Sequence, residues 1–342
     1  MAKLKDVAAL AGVSSATASL ALNGRSVNAK TRQLVVTAAK QLNYVPNKIG
    51  QILTNGRSNT LELVILNVAD HPNIVRKTAL FYYLMEGVLA VADEQGFGVR
   101  FAVRSHDDPD LTAYFADLVG AGTVDGAIVV PQFARDYRFM HILHDTAYPC
   151  VFLLPDRFGK DVSHVDMGNE AGGSQVANLF IDVGAKRIAM INGPVSHVDA
   201  IERERGFTGT ILDRGATIVA LQHGDFTIES GHAAMGAIIK RALPNAVFCA
   251  NDYMAAGALK FLRERKIRVP GDVAVVGYDN NDLAIATDPP LTTVDNHFFD
   301  LGKALAEDII AQVTCADGPT TRTIVPTLVT RSSHLLGRAA DD

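Results

Sequence analysis

Three cysteines in 342 residues are too few and too widely spaced to make a disulfide scaffold. Cys150 and Cys249 sit inside apolar, strand-like runs, which points to buried free thiols, and Cys315 lies far from both. No Cys/His cluster has ligand spacing, so no metal site is expected and no cofactor is implied. No apolar run approaches the roughly 20 residues that a membrane span needs. The N-terminus lacks an apolar signal core, so a cytoplasmic protein is expected. Familiar catalytic signatures are missing as well: there is no G-x-S-x-G elbow, P-loop or H-E-x-x-H. The GxG within GAGTVDG at 120–126 follows a helical stretch, so it is not a dinucleotide loop. An enzyme reading survives only as a carboxylate pair in a sugar cleft, a glycosidase. A solute-binding protein is a second alternative, opposed by the missing signal core.

What is present is an uneven distribution of charge. Residues 1–57 carry eight basic side chains and one acidic one, a net +7. The whole chain is −5, so residues 58–342 are −12. A basic head on an acidic body implies that only the head meets a polyanion. The length exceeds a single core, so two or three domains are expected.

The head, taken as 1–45, reads as three short helices. Leu4, Val7, Ala8 and Ala11 repeat at helical spacing, and Gly12 interrupts them. Ser14 is placed to cap a second helix beginning at Ser15, with Ala18, Ala21 and Leu22 inward and Ser15, Ala16, Ser19 and Leu20 outward. Asn28 is placed to cap a third, with Val35, Ala38, Ala39 and Leu42 inward. Two short helices joined by a glycine-containing turn and closed by a third form the helix-turn-helix pattern, whose second helix enters a DNA major groove. A linker at 46–58 follows. Pro46 suits a helix start and Gly56 a stop, but about two turns alone in water are mostly melted. Gly50 weakens such a helix further.

From Leu61 the pattern alternates strand and helix: LELVILNV, GVRFAV, GAIVV and CVFLL, then a second series with RIAMI, TIVAL, AVFCA and VAVVG. This order implies parallel sheets covered by helices on both faces, in two similar α/β lobes with a cleft between them. Ligands of such sheets bind at the carboxyl ends of strands. Asp156, His197, Asp199, Arg203, Asn251 and Asp279 all fall just after strands. Each is equally well read as a helix cap or a loop charge, and Asp252 reads most simply as an N-cap.

The phrases KDVAALAGVSSATASLALNG, NYVPNKIGQILTNGRSNT, VDGAIVVP, RERGF, VFCANDYMAAGAL, VAVVGYDN and PPLTTV occur in that order. Together they resemble the lactose-repressor (LacI) family of bacterial transcription regulators, from residue 3 to about residue 335. The resemblance implies a core, 59–342, with the fold of periplasmic sugar-binding proteins, in which three strands cross between lobes. The first lobe would hold about 60–160 plus 290–319, and the second about 161–289 plus 320–338, with the third crossing near Thr320 and the final strand, around Val325, in the second lobe. It implies DNA contacts from Lys5, Ser14, Ser15, Ala16, Thr17, Ser19, Leu20, Asn23, Asn28, Thr31, Tyr44 and Asn47. Leu53 would be the apolar wedge of a hinge helix that forms on DNA and kinks the operator. Gly50 departs from the alanine usual there. Many relatives carry Arg where this chain has Leu20.

The same resemblance makes Arg203 and Asp279 effector contacts, Phe226 an aromatic stacking on the ligand, and Phe81 a lining residue from the other lobe. His197 and Asp199 fall on a loop that varies with effector. The function implied is a dimeric, DNA-binding regulator of a near-palindromic operator, most simply a repressor, controlled by a sugar or sugar derivative between the lobes. GDF, VFCA and GYDN resemble the purine-repressor branch, which keeps a nucleobase corepressor as the alternative. The absence of a heptad tail after Leu336 argues against tetramers.

Overall fold

The computed structural model describes residues 2–22, 27–44, 56–71, 80–135, 137–155, 162–315 and 318–336. The chain divides into two compact units, 1–60 with 121–125, and 61–120 with 126–342.

The first unit holds helices α1 (Leu4–Ala11), α2 (Ser15–Leu22) and α3 (Ala29–Gln41). Asp6 accepts the Lys3 amide at 2.8 Å and fixes the start of α1. Gly12 ends α1 at φ 70°, a left-handed conformation that a side chain would strain, and so makes the tight turn into α2. Val7, Ala8, Ala18, Ala21, Val35, Ala38 and Ala39 form the small core between the three helices. The inward assignments for α2 and α3 agree with this, except that Leu22 and Leu42 are only half-buried.

The second unit is two lobes. In the first, the sheet runs β11 (Thr321–Thr323), β5 (His164–Asp166), β4 (Cys150–Leu153), β3 (Gly126–Pro131), β1 (Thr60–Asn67), β2 (Gly98–Ser105). Its described pairings from β1 to β11 are parallel, with Leu63 beside Ile128 and Val129 beside Phe152. Its helices include α4 (Leu80–Glu94), α5 (Leu111–Gly120), the short α6 (Met140–Asp145) and, from much later in the chain, α12 (Phe298–Cys315). Phe81, Leu84 and Val88 of α4 share one core with Leu301, Leu305 and Ile309 of α12.

In the second lobe the parallel order is β7 (Thr217–His223), β6 (Arg187–Asn192), β8 (Ala246–Cys249), β9 (Ala274–Val276). Helices α7 (Asn169–Asp182), α8 (Val198–Asp213), α9 (Ile228–Arg241) and α10 (Asp252–Glu264) cover it, and a short α11 (Asp282–Ala286) follows β9. Helix α8 lies unusually close to α7: a Cβ on Gly206 would collide with the Glu170 carbonyl, and one on Gly173 with the Arg203 carbonyl. This close approach fixes the height of Arg203 in the lobe.

Three segments join the lobes: from β5 into α7, from β10 (Thr293–Asp295) into α12, and from β11 into β12 (Thr327–Val329). β10 and β12 pair antiparallel, with Val294 opposite Leu328. The lobe limits therefore differ from those expected. His164–Asp166 and Thr321–Thr323 lie in the first sheet, because they pair with β4 and with each other, so the crossings come after Asp166 and after Thr323. Of the three thiols, Cys249 is buried, Cys150 half-buried and Cys315 exposed. Among the described residues no helix is long and apolar enough to cross a membrane, and no cluster of three His, Cys, Asp or Glu is placed to hold a metal.

Candidate functional site

Two surfaces collect the candidate residues. On the first unit, Lys5, Ser14, Ser15, Ala16, Leu20 and Asn28 are exposed, and Thr17, Ser19, Thr31 and Tyr44 half-buried. The outward face of α2 is thus small and weakly polar, and 37% of Leu20 is exposed. Ser14 and Asn28 are also structural. The Ser14 hydroxyl accepts the Thr17 amide at 3.1 Å, and Asn28 Oδ1 accepts the Thr31 amide at 2.7 Å. Each satisfies a helix-start amide that water would otherwise have to reach. Asn23, Asn47 and Leu53, with Gly50 and most of the 46–58 linker, lie outside the described residues.

On the second unit the candidates converge where β6, β8 and β9 end. Arg203, on α8, is 3% exposed. Its Nε donates to Asn169 Oδ1 at 2.9 Å, its Nη1 donates to the Ala250 carbonyl at 2.5 Å, and its Nη2 lies 3.4 Å from Asp279 Oδ1. Its guanidinium stacks 3.9 Å over the ring of Tyr278. Asn169, at the start of α7, also donates from Nδ2 to Asp199 Oδ1 at 2.9 Å. Asn296, between β10 and α12, donates to Asp279 Oδ1 at 3.1 Å. One arginine and two asparagines therefore hold Asp199 and Asp279 each by Oδ1. Among the described residues neither Oδ2 receives a hydrogen bond, His197 Nδ1 being 3.9 Å from that of Asp199. Asp279 sits at φ 104°, a left-handed conformation held by its amide donating to the Val294 carbonyl at 2.8 Å.

Burial sets the charges here. It raises the Asp279 carboxyl to about 7, although the Arg203 guanidinium pulls it down. It lowers His197 to about 4 against the attraction of Asp199, so the imidazole is neutral. Phe226, at φ 64°, is buried against Gly193, where a Cβ would strike its ring. Its ring meets that of His197 edge-on at 4.9 Å.

Other candidates fall elsewhere. Asn251 is fully engaged: its Oδ1 accepts the Met254 amide at 2.8 Å and its Nδ2 donates to the Phe226 carbonyl at 3.1 Å. It caps α10, so the cap is not Asp252. Asp252 is wholly buried, accepting from Thr293 at 2.6 Å and from the Asn281 amide at 3.0 Å, and burial raises its carboxyl well above the usual range. Phe81 is buried in the first-lobe core. Asp156 lies outside the described residues. Asn169, Asn296 and Tyr253 were not singled out from the sequence. Tyr253, half-buried on α10, feels Asp279 and, across the cleft, Tyr83 of α4; burial first and these neighbours next raise its hydroxyl. No motif marks Asn169 or Asn296, which a crossing or a helix start brings in, and Tyr253 lies within VFCANDYMAAGAL without standing out there.

Comparison with known proteins matches residues 3–47 to "Bacterial regulatory proteins, lacI family" and residues 177–334 to a periplasmic binding protein-like domain. The HTH-type transcriptional regulator CelR of Thermobifida fusca is 34% identical over 98% of this chain and 97% of its own. A repressor named PurR from Histophilus somni is 29% identical over 88% of this chain and 89% of its own. Among solved structures, a CelR–cellobiose complex superposes with a TM-score of 0.72 at 31% identity, covering 97% of this chain and all of that one. A Lac repressor dimer bound to operator and the anti-inducer ONPF gives 0.84 at 26%, covering 98% and 99%.

Proposed function

The chain belongs to the LacI family of bacterial regulatory proteins, and from that premise we propose that it is a homodimeric, cytoplasmic repressor released from or held on its operator by a sugar. Its class is that of its relatives: a sequence-specific DNA-binding transcriptional regulator under small-molecule control. The sugar reading rests on one observation above others, the two carboxylates Asp199 and Asp279 held by one Arg203–asparagine scaffold. Each keeps an acceptor oxygen for a ligand hydroxyl. Phe226 supplies an aromatic ring beside them, and the relative CelR is recorded with cellobiose. A disaccharide of glucose is therefore the first ligand to try.

In this reading Lys5, Ser15, Ala16, Thr17, Ser19, Leu20, Thr31 and Tyr44 meet operator DNA, with Ser14 and Asn28 capping the helices that carry them. Asn23, Asn47 and the Leu53 wedge complete the interface. Two copies read the two half-sites, as two-fold proteins do. Arg203 is a scaffold first and a ligand contact second. The second reading, a nucleobase effector, rests on the likeness of GDF, VFCA and GYDN to the purine-repressor branch, and relatives named PurR are among those that match. Purified full-length protein titrated with cellobiose separates the two, read by melting temperature and by mobility shift of operator DNA selected from random sequence. A melting temperature raised by cellobiose together with altered operator binding supports the sugar. Indifference to disaccharides with a response to guanine or hypoxanthine replaces it with the nucleobase.

A further inference from the structure

The two lobes meet directly at a place away from the three crossing segments. The loop after β3 reaches the N-terminus of α8, and Phe133 and His197 form an isolated antiparallel bridge. The Ala134 amide donates to the Ser196 carbonyl and the Val198 amide to the Gln132 carbonyl, both at 2.9 Å. Phe133 and His197 are thus the close, non-hydrogen-bonded pair of the bridge, and their rings meet edge-on at 5.1 Å. His71, after β1, stacks on the outer face of Phe133 at 5.5 Å and 5°. On the far side His197 leans on Phe226. Phe133 and Val68, both of the first lobe, belong to the hydrophobic core of the second. The crossings run beside β5 and β11 in one sheet and beside β9 in the other, whereas this bridge joins β3 and β6, two or more strands away in each.

We propose that the Phe133–His197 bridge is a latch tying the first lobe to the helix that carries Asp199 and Arg203, and that Phe133 is the positioning residue for effector binding. The ring contact of Phe133 towards the candidate site is with His197. Phe133 acts by holding the first turn of α8, two residues from Asp199, in register with the first lobe. Effector grip and lobe closure are then made at the same helix start. A ligand that needs the closed lobes binds with an affinity reduced by whatever fraction of molecules is unlatched. The proposal rests on the reading that the cleft between the lobes takes an effector.

Full-length parent, Phe133→Ala and Phe133→Leu test it by amide hydrogen exchange and by calorimetric titration with cellobiose. In the parent, the Ala134 and Val198 amides should be protected. In Phe133→Ala they should exchange at least tenfold faster while β3 and β6 keep parental protection, and cellobiose affinity should fall by tenfold or more. Phe133→Leu, which keeps most of the buried apolar area, should stay within about threefold of the parent in both. Unprotected Ala134 and Val198 in the parent overturn the latch, whatever the variants do. So does protection lost together across β3 and β6 in Phe133→Ala, which would make Phe133 ordinary core support, or a Phe133→Ala protein like the parent in both readouts. Should the parent ignore cellobiose while the two amides still depend on Phe133, the latch stands and the sugar reading falls.

Discussion

The head and the core present their candidate functional side chains in opposite ways. Ser15, Ala16 and Leu20 stand in solvent on one face of α2, while the packing that holds them comes from Ala18 and Ala21 on the other. In the core, Arg203 is at once buried, a partner of three groups and part of the candidate site. Recognition in the head should therefore be separable from stability, whereas in the core the two share buried groups. Substitutions on the head's outer face should change which DNA is bound and leave melting untouched. Substitutions in the core site that remove a partner from the hydrogen-bond network should move both, whereas one that keeps the shape and the acceptor should fall mainly on the ligand.

The largest break in this comparison should come from Arg203→Ala. It leaves Asn169, the Ala250 carbonyl and Asp279 without their partner in a buried place. Loss of one member of such a pair costs about 3–5 kcal/mol. Denaturant unfolding of the core should shift by that much, with effector response abolished and the head's helical signal intact. A variant that melts with the parent would mean that Arg203 is a surface-like contact and that the scaffold argument is wrong.

Next in size is the dependence of core stability on pH. The two shifted groups act with opposite signs. His197 has a folded value of about 4 against an ordinary 6.5, so its contribution is present above 6.5 and lost as pH falls from there towards 4. Asp279 has a folded value of about 7 against 3.8, so its contribution is present below 3.8 and lost as pH rises through 7. They are on the order of 3 kcal/mol for His197 and 4 kcal/mol for Asp279 across their windows, and the two partly cancel between pH 4 and 6.5. Removing one should expose the other. Melting of Asp279→Asn should rise more steeply with pH over that range than the parent's, and melting of His197→Phe should fall. Parallel pH profiles for all three proteins would refute the assignment.

At neutral pH Asp279→Asn should cost little stability, because the amide is isosteric and the carboxylate is itself opposed by burial. Its effect belongs to the ligand. Losing a charged hydrogen bond to an effector hydroxyl should cost about 2–3 kcal/mol. That is roughly 30- to 150-fold in affinity. If effector affinity is unchanged and melting falls instead, Asp279 serves only to pair with Arg203.

The same contrast decides what was legible in the chain. Helix-turn-helix packing follows a 3.6-residue period and two caps, all local, so Val7, Ala18, Val35, Ser14 and Asn28 could be placed from their spacing alone. The alternating strands of the core were legible for the same reason, and Arg203 and Asp279 could be singled out from their motifs. The rest depends on long-range pairing. β5 and β11 are three residues each and belong to the first sheet only because they find β4 and each other. Asn169 and Asn296 reach the site through crossings more than 120 residues apart, and no local signal distinguishes them from caps. Asn251 rather than Asp252 caps α10 because Asp252 is turned inward onto Thr293, 41 residues away.

The smallest expected effect, and the sharpest test of separability, is Leu20→Arg. Leu20 is on the outer face of α2 and contributes little to the head's core, so its replacement should leave melting within about 0.5 kcal/mol, as for surface changes generally. The consequence should be in base choice. A small apolar face favours the thymine methyl group, whereas an arginine fork pairs with the O6 and N7 of guanine, and one such contact discriminates by about 1–3 kcal/mol. Selection from random DNA should therefore return A·T at the contacted position for the parent and G·C for Leu20→Arg, in both half-sites, with the remaining positions unchanged. A guanine preference already present in the parent would remove Leu20 from the base-reading face. A large loss of head stability in the variant would show that the outer face of α2 is not free, and that head and core differ less than their burial implies.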